Sequence, residues 1–223
     1  MVSSQDQYHD LVQEILGKCG LEINEPALDQ LCQYLRLLEK WNKQLNLTGL
    51  TSRSSLIQNL FAESFIGAER LGPNDFPCLD VGSGSGFPGM AMKIYRPELK
   101  MILLEPRQKR ANFLSTVKRE LGLKGVEVLV CRLEDVRAEV VKNSPVVYIS
   151  RGLGNQKELL EIARGIFPGL RRILLFTTIE LSENLRRAMR SVHWNEPIAV
   201  PWNRHHVLLE GEWGVGSEIP TEY

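Results

Sequence analysis

The feature that most constrains this chain is a run of small residues, Leu79-Asp80-Val81-Gly82-Ser83-Gly84-Ser85-Gly86-Phe87-Pro88-Gly89, lying between a short apolar run and a stretch of helical periodicity. A chain that turns from strand to helix through glycines lets a ligand lie against its backbone. In an open α/β sheet that place is the carboxyl edge of the strands. Counted from Gly82, the spacing Gly82-x-Gly84-x-Gly86 departs from the dinucleotide fingerprint, and no Gly-Lys-Ser/Thr follows to hold a triphosphate. The carboxylate of Asp80, two residues before Gly82, disfavours a pyrophosphate. It suits a ligand carrying an ammonium and a sulfonium, as the methionine half of S-adenosylmethionine does. Asp80, Gly82, Ser83, Gly84 and Gly86 are therefore candidate cofactor contacts.

The surrounding pattern supports such a sheet. Apolar runs at 78–81, 101–104, 126–130, 146–149 and 173–176 read as buried strands, and helices fit between them at 88–95, 107–122, 133–142 and 156–166. This alternation predicts a mostly parallel sheet with helices on both faces. Another helix is expected past Leu181, then strands at 197–200 and 206–209, which makes seven strands, with an irregular tail at 211–223. The part before residue 72 reads as helical. Its apolar stripes are Leu11, Val12, Ile15 and Leu16, then Leu31, Tyr34, Leu35, Leu38, Trp41 and Leu45. Asn24 is a candidate N-cap, Pro26 suits a first turn, and a third helix from about Ser54 buries Leu56, Ile57, Leu60, Phe61 and Phe65. The expected organisation is a helical extension at 1–71 and an α/β core at 72–223.

A second carboxylate, Glu105, ends the second strand, where it can accept hydrogen bonds from a ribose diol. Glu134, just past the third strand, can face an adenine edge. The bland alternatives are a helix cap for Glu105 and a solvated first-turn position for Glu134. Both lie in step with the glycine loop, which favours the cofactor reading.

Composition narrows the partners. The 27 basic and 27 acidic residues leave a formal net charge of +0, so bulk charge lends no support to nucleic-acid binding. Local clusters remain: Arg107, Lys109, Arg110, Lys118, Arg119 and Lys124; Arg186, Arg187 and Arg190; and Arg204 with His205 and His206. His205-His206 reads as a surface turn. No apolar run approaches the about 20 residues that span a bilayer, and the first residues lack a secretory pattern, so a cytoplasmic protein is expected. Cysteines at 19, 32, 78 and 131 form no Cys-x-x-Cys pair, and the four histidines show no ligand spacing, so no metal is expected.

Four blocks in order then carry a family resemblance. Trp41-Asn42-Lys43-Gln44-Leu45-Asn46-Leu47-Thr48, the loop from Leu79 to Gly89 with its Pro-Gly ending, Lys109-Arg110-x-x-Phe113-Leu114, and Ile149-Ser150-Arg151 resemble the RsmG (GidB) family of small-subunit ribosomal RNA guanine-N7 methyltransferases. The resemblance implies a Rossmann-like class I methyltransferase fold, S-adenosylmethionine as cofactor and 16S ribosomal RNA or the small ribosomal subunit as partner. By position it implies Gly82 and Phe87 along the cofactor, Glu105 on the ribose, Leu133 and Glu134 flanking the adenine, and Arg151 at the pocket mouth. No residue is assigned a catalytic proton transfer. The chain departs from the family pattern at three places on the substrate side. Phe61-Ala62-Glu63-Ser64-Phe65 replaces a His-x-x-Asp-Ser-Leu segment, Ser144-Pro145 lacks the acidic residue before the fourth strand, and Thr177-Thr178 stands for a Lys-Gly. A methyltransferase of the same fold acting on a small molecule or protein, and a cofactor-binding protein without turnover, remain the alternatives.

Overall fold

The structure, a computed structural model, describes residues 4–138, 141 and 143–214. The chain opens with helices α1 (Ser4–Lys18) and α2 (Glu25–Leu45). Asn24 caps α2 by accepting from the Ala27 amide at 3.0 Å, Pro26 sits in the first turn, and the chain leaves through Asn46 in the left-handed region. The Asn42 side chain then brackets Thr48, donating to its carbonyl (3.1 Å) and accepting from its amide (2.9 Å). The segment expected as one helix from Ser54 is split into α3 (Arg53–Leu56), a π-helical turn at Ile57–Ala62, and α4 (Glu63–Glu69). A π turn inserts an extra residue per hydrogen-bonded ring and is frequent at functional sites.

From residue 78 the alternation follows the sequence closely: β1 (Cys78–Val81), α5 (Gly89–Tyr95), β2 (Met101–Leu104), α6 (Gln108–Glu120), β3 (Val126–Leu129), β4 (Val147–Arg151), α7 (Gln156–Ile166), β5 (Arg172–Thr178) and α8 (Ile179–Ala188). Then come β6 (Val192–Trp194), β7 (Ile198–Val200) and the long β8 (Asn203–Trp213). Among the described residues the strands form one sheet of eight, ordered β3-β2-β1-β4-β5-β8-β6, with β7 paired to β8. The first five are parallel and β8 runs antiparallel to β5. The order reverses between β1 and β4, and that switch point opens a crevice beyond the carboxyl ends of the two strands.

Alternate strand residues feed two cores. Cys78, Met101, Leu103, Ile149, Leu174, Phe176 and Leu208 pack with α1 to α6, whereas Leu79, Ile102, Leu104, Tyr148, Ile173, Leu175 and Leu209 pack with α7 and α8. The first core holds the N-terminal helices and one sheet face in a single cluster. Among the described residues no helix is long and apolar enough to cross a membrane.

Four expectations need correction. The helix at 133–142 is a 3-10 turn at Leu133–Asp135, and Val136 is already extended. Leu133 and Val136 are both buried, a spacing that a 3-10 turn satisfies as well as an α-helix does. Residues 139, 140 and 142 lie outside the described residues. Strand β6 is an addition to the expected set, and it raises the count to eight. Strand β8 runs past residue 209, with Glu210 buried and its charge met by Arg70 Nε at 2.5 Å and Arg172 Nη2 at 3.7 Å. The irregular tail is therefore wrong for residues 211–213; residues 215–223, like residues 1–3, lie outside the described residues.

Phe61 links the two parts of the first core. Its ring meets Tyr34 at 5.4 Å and Phe87 at 4.8 Å, both edge-on. Phe61→Ala is expected to cost about 3–5 kcal/mol in urea unfolding. Circular dichroism in the far and near ultraviolet should give one coincident transition; two separated transitions would show that helices and sheet do not share a core.

Candidate active site

The site grows out of the carboxyl ends of β1, β2 and β4. Asp80 is fully buried on β1, on the face that carries Cys78. Its Oδ2 accepts from the Gly89 amide at 3.0 Å, where α5 begins, and the Ser83 hydroxyl donates to its carbonyl at 2.9 Å. Its Oδ1 is buried and has no partner. Burial pushes the Asp80 carboxyl up to about 7, partly offset by the Gly89 amide, with the Glu105 charge adding to the rise. Glu105 follows β2 and is also buried. Its Oε2 accepts from the Gly84 amide at 2.9 Å and its Oε1 from the Arg107 amide at 2.8 Å. Glu105 thus caps the start of the next helical segment, as the bland reading held, and at the same time holds the glycine loop.

The loop itself is tightly determined. The amides of Gly82 and Ser83 both donate to the Leu104 carbonyl at 2.9 Å. Gly86, at φ +91°, has no room for a side chain: a Cβ there would lie 2.1 Å from the Tyr34 hydroxyl, which donates to the Ser85 carbonyl at 2.5 Å. A Cβ on Gly89 would lie 2.5 Å from Asp80 Oδ2 and 2.6 Å from Leu103. Gly84, Gly86 and Gly89 do fit Gly-x-Gly-x-x-Gly when counted from Gly84, so spacing alone does not set this loop apart from a dinucleotide site. Its third glycine provides the same close packing of helix on strand. The distinguishing feature is Asp80, a buried carboxylate with an orphaned oxygen.

The structure brings Asp80, Gly82, Ser83, Gly84, Gly86 and Glu105 together. It places the others differently. The Phe87 ring turns into the core, stacked on Tyr34 at 5.4 Å and 5° and edge-on to Phe61, so only its backbone is free to meet a ligand. Leu133 is buried against the opposite core, and Glu134 is exposed on the 3-10 turn beside it. Arg151 is not an open residue at a pocket mouth. Its Nη2 lies 2.7 Å from Glu63 Oε2 and also donates to the Asn59 carbonyl. His206 is no surface turn either. It lies within β8, with Nδ1 3.2 Å from Glu63 Oε1.

Sequence reasoning missed Tyr34, Glu63 and His206 as site neighbours. Tyr34 was legible only as one member of an apolar stripe, although its polar tip was a signal. Glu63 had a stronger one: it is the single acidic residue in an otherwise apolar stretch that must be buried. His206 is brought in by strand pairing across a long sequence separation, which no local pattern records.

This donor set fits S-adenosylmethionine. An ammonium would partner Asp80 Oδ1, the glycine turn leaves backbone open to close approach, and Glu105 stands where the hydroxyls of a ribose diol would donate to it. Because the folded Asp80 holds its proton from its ordinary 3.8 up to about 7, the folded state binds more protons than the unfolded chain in that window. This group's contribution to stability is therefore expected to fall as pH rises through the window and to level off above it. Thermal unfolding of the ligand-free protein and of Asp80→Asn, at constant ionic strength, checks the sign. The variant should lack this part of the slope; identical slopes would contradict the assignment.

The comparisons with known proteins come down on the same side. The family described as rRNA small subunit methyltransferase G matches residues 27–202. A protein named Ribosomal RNA small subunit methyltransferase G from Desulfotalea psychrophila is 34% identical over 172 residues, which is 74% of this chain and 78% of that one. Its namesake from Clostridium botulinum is 31% identical over 163 residues, 70% of this chain and 66% of that one. Among solved structures, a SAM-dependent methyltransferase from Aquifex aeolicus superposes with a TM-score of 0.59 at 16% identity, covering 76% of this chain and 97% of that one. A chain of a fibrillarin/Nop5p complex superposes with a TM-score of 0.57 at 15% identity, covering 69% and 80%. The structural likenesses establish the fold, and the match across most of the sequence establishes kinship: this chain belongs to the GidB family, and it is an S-adenosylmethionine-dependent methyltransferase.

Proposed function

We propose that this protein methylates N7 of a guanine in 16S ribosomal RNA, using the cradle of Asp80, the glycine loop and Glu105 to hold the methyl donor. The observation that carries the reading is the pair of buried carboxylates hung on the loop, one of them with an unpartnered oxygen. The substrate follows the names of the relatives, both of them ribosomal RNA small subunit methyltransferases. In this reading the helical segment up to residue 71 is an extension that closes the cradle from outside the core at 72–223. A ribosomal substrate sets the work in the cytoplasm.

The chemistry asks the chain for position rather than proton transfer. S-adenosylmethionine supplies an electrophilic methyl group on a cationic sulfur. Guanine N7 carries an in-plane lone pair and no proton. As the N7–carbon bond forms, the carbon–sulfur pair departs with sulfur, and the base is left cationic. No general base is needed, so the absence of a catalytic His or Cys at the loop is consistent with turnover. Asp80 Oδ1 would accept from the ammonium and Glu105 from the ribose hydroxyls. Gly82, Gly84 and Gly86 would let the ligand reach the backbone. Holding donor and acceptor in line is the main source of rate.

The rim fits a polyanion. Arg107 and Arg110 lie beside Glu105 and Gly84 where α6 begins, Lys109 stands in the same first turn, and Arg132 and Arg137 flank the 3-10 turn that follows β3. Among the described residues none of these five forms an ion pair, whereas Arg186 is paired with Glu196, Arg187 with Glu183 and Arg119 with Glu120. Unpaired cations beside the site are free to meet phosphates.

The reading is tested with methyl-labelled cofactor and unmethylated small subunits or their RNA, with the label mapped by nuclease digestion. Label on guanine N7 is expected. Its absence from RNA while cofactor binding persists would overturn the substrate. Arg107→Glu and Lys109→Glu should each raise the RNA KM and lower the salt dependence of RNA binding by about one unit of log–log slope. An unchanged slope would remove the rim from the interface.

A further inference from the structure

The second charge cluster at the switch point has no part in holding the loop. Ser150 pairs in register with Val81, so Arg151, the next residue, stands beside Gly82 at the end of β4. It lies on the face that carries Ile149 and Asp80. Its guanidinium is held by Glu63 Oε2 and the Asn59 carbonyl, and it lies 6.0 Å above the Phe176 ring. Glu63, on α4, is 2% exposed and has its other oxygen against His206 of β8. The Arg151 side chain is 16% exposed, and its Nη1 is buried with no hydrogen-bond partner. A buried guanidinium with one free donor nitrogen is expensive unless something is meant to meet it.

A physical conflict lies here. A donor beside Gly82 is useful for an oxygen acceptor on the bound ligand, yet a bare cation there would repel a sulfonium in a medium of low dielectric. It would also repel the positive charge that the methylated base acquires. An ionised carboxylate on the far side of the guanidinium resolves the conflict, because it cancels the charge and leaves the donor.

We propose that Glu63 is a charge-compensating positioning residue: it fixes Arg151, with Nη1 left free as a donor, and offsets the guanidinium charge so that the cationic methyl donor is tolerated beside it. The inference rests on the cradle being the S-adenosylmethionine site. The departure from the family pattern at Phe61 to Phe65 leaves this function intact, since Glu63 retains a carboxylate in that segment. Burial lowers the Arg151 pKa against the opposing pull of Glu63.

The test compares two ligands that differ in charge at one atom. S-adenosylmethionine carries a sulfonium, and S-adenosylhomocysteine carries a neutral thioether. Dissociation constants for both are measured by calorimetry on the full chain and on Glu63→Gln, Glu63→Asp, Arg151→Gln and the double variant Glu63→Gln/Arg151→Gln. Glu63→Gln is expected to weaken the sulfonium ligand more than the thioether, shifting the ratio of the two constants by about tenfold. Glu63→Asp should hold the ratio within about twofold of the parent, because the charge remains. Arg151→Gln leaves an anion alone and should shift the ratio in the opposite sense, which keeps the test decisive if Glu63→Gln fails to fold. The double variant should return the ratio toward the parent value. Equal weakening of both ligands by Glu63→Gln, or a ratio unmoved by Arg151→Gln, would overturn the proposal and leave Glu63 a purely structural residue. A parent protein that binds neither ligand would instead overturn the cradle reading itself.

Discussion

The site depends on two buried carboxylates that make backbone amides their partners. Asp80 takes the Gly89 amide and Glu105 takes those of Gly84 and Arg107, so the far end of the glycine loop is fastened back to β1 and its middle to the end of the neighbouring β2. A carboxylate held by amide donors is stable in a place where a bare one is not. The loop is therefore pre-shaped before any ligand arrives. The cost of this arrangement sits on Asp80, whose second oxygen finds no donor in the protein. Burial raises its pKa to about 7, and a cationic ligand group would relieve it.

The N-terminal helices belong to the same construction. Tyr34 of α2 donates to the Ser85 carbonyl and stacks on Phe87, so a residue far upstream in sequence fixes the curvature of the loop. Glu63 and Asn59 come from the segment in which the helix widens into a π turn and narrows again, and together they hold Arg151 at the end of β4. The aromatic cluster of Tyr34, Phe61, Phe65 and Phe87 ties these contacts to the core that supports β1 and α5. The helices thus reach the crevice from one side while the basic rim of α6 and the 3-10 turn approaches it from another.

Much of this was legible in the amino-acid sequence. The buried parallel strands β1 and β2 have the bounds that their apolar runs imply, because a strand covered on both faces is a continuous apolar word with polar punctuation. The glycine loop and Glu105 declare themselves by residue type and by their position at strand ends. What stayed hidden follows from the same physics. Leu133 and Val136 share one face in a 3-10 turn as they would in an α-helix, so periodicity alone could not tell the two apart. Strand β8 carries the charged Glu210 in its buried middle because Arg70 and Arg172 meet that charge from distant elements, partners that no local pattern records. The Glu63–His206 contact joins residues 143 apart in sequence, and the ring of Phe87 was free to face ligand or core until Tyr34 offered it a stacking partner.

The central claim is that the two carboxylates and the glycine turn form the seat of S-adenosylmethionine. A crystal structure of the protein with S-adenosylhomocysteine measures it most directly. The ligand's ammonium should lie within hydrogen-bonding distance of Asp80 Oδ1 and its ribose hydroxyls within the same distance of Glu105, with the loop unmoved. A ligand seated elsewhere on the sheet, or one that leaves Asp80 Oδ1 unpartnered and Glu105 facing no hydroxyl, would contradict it.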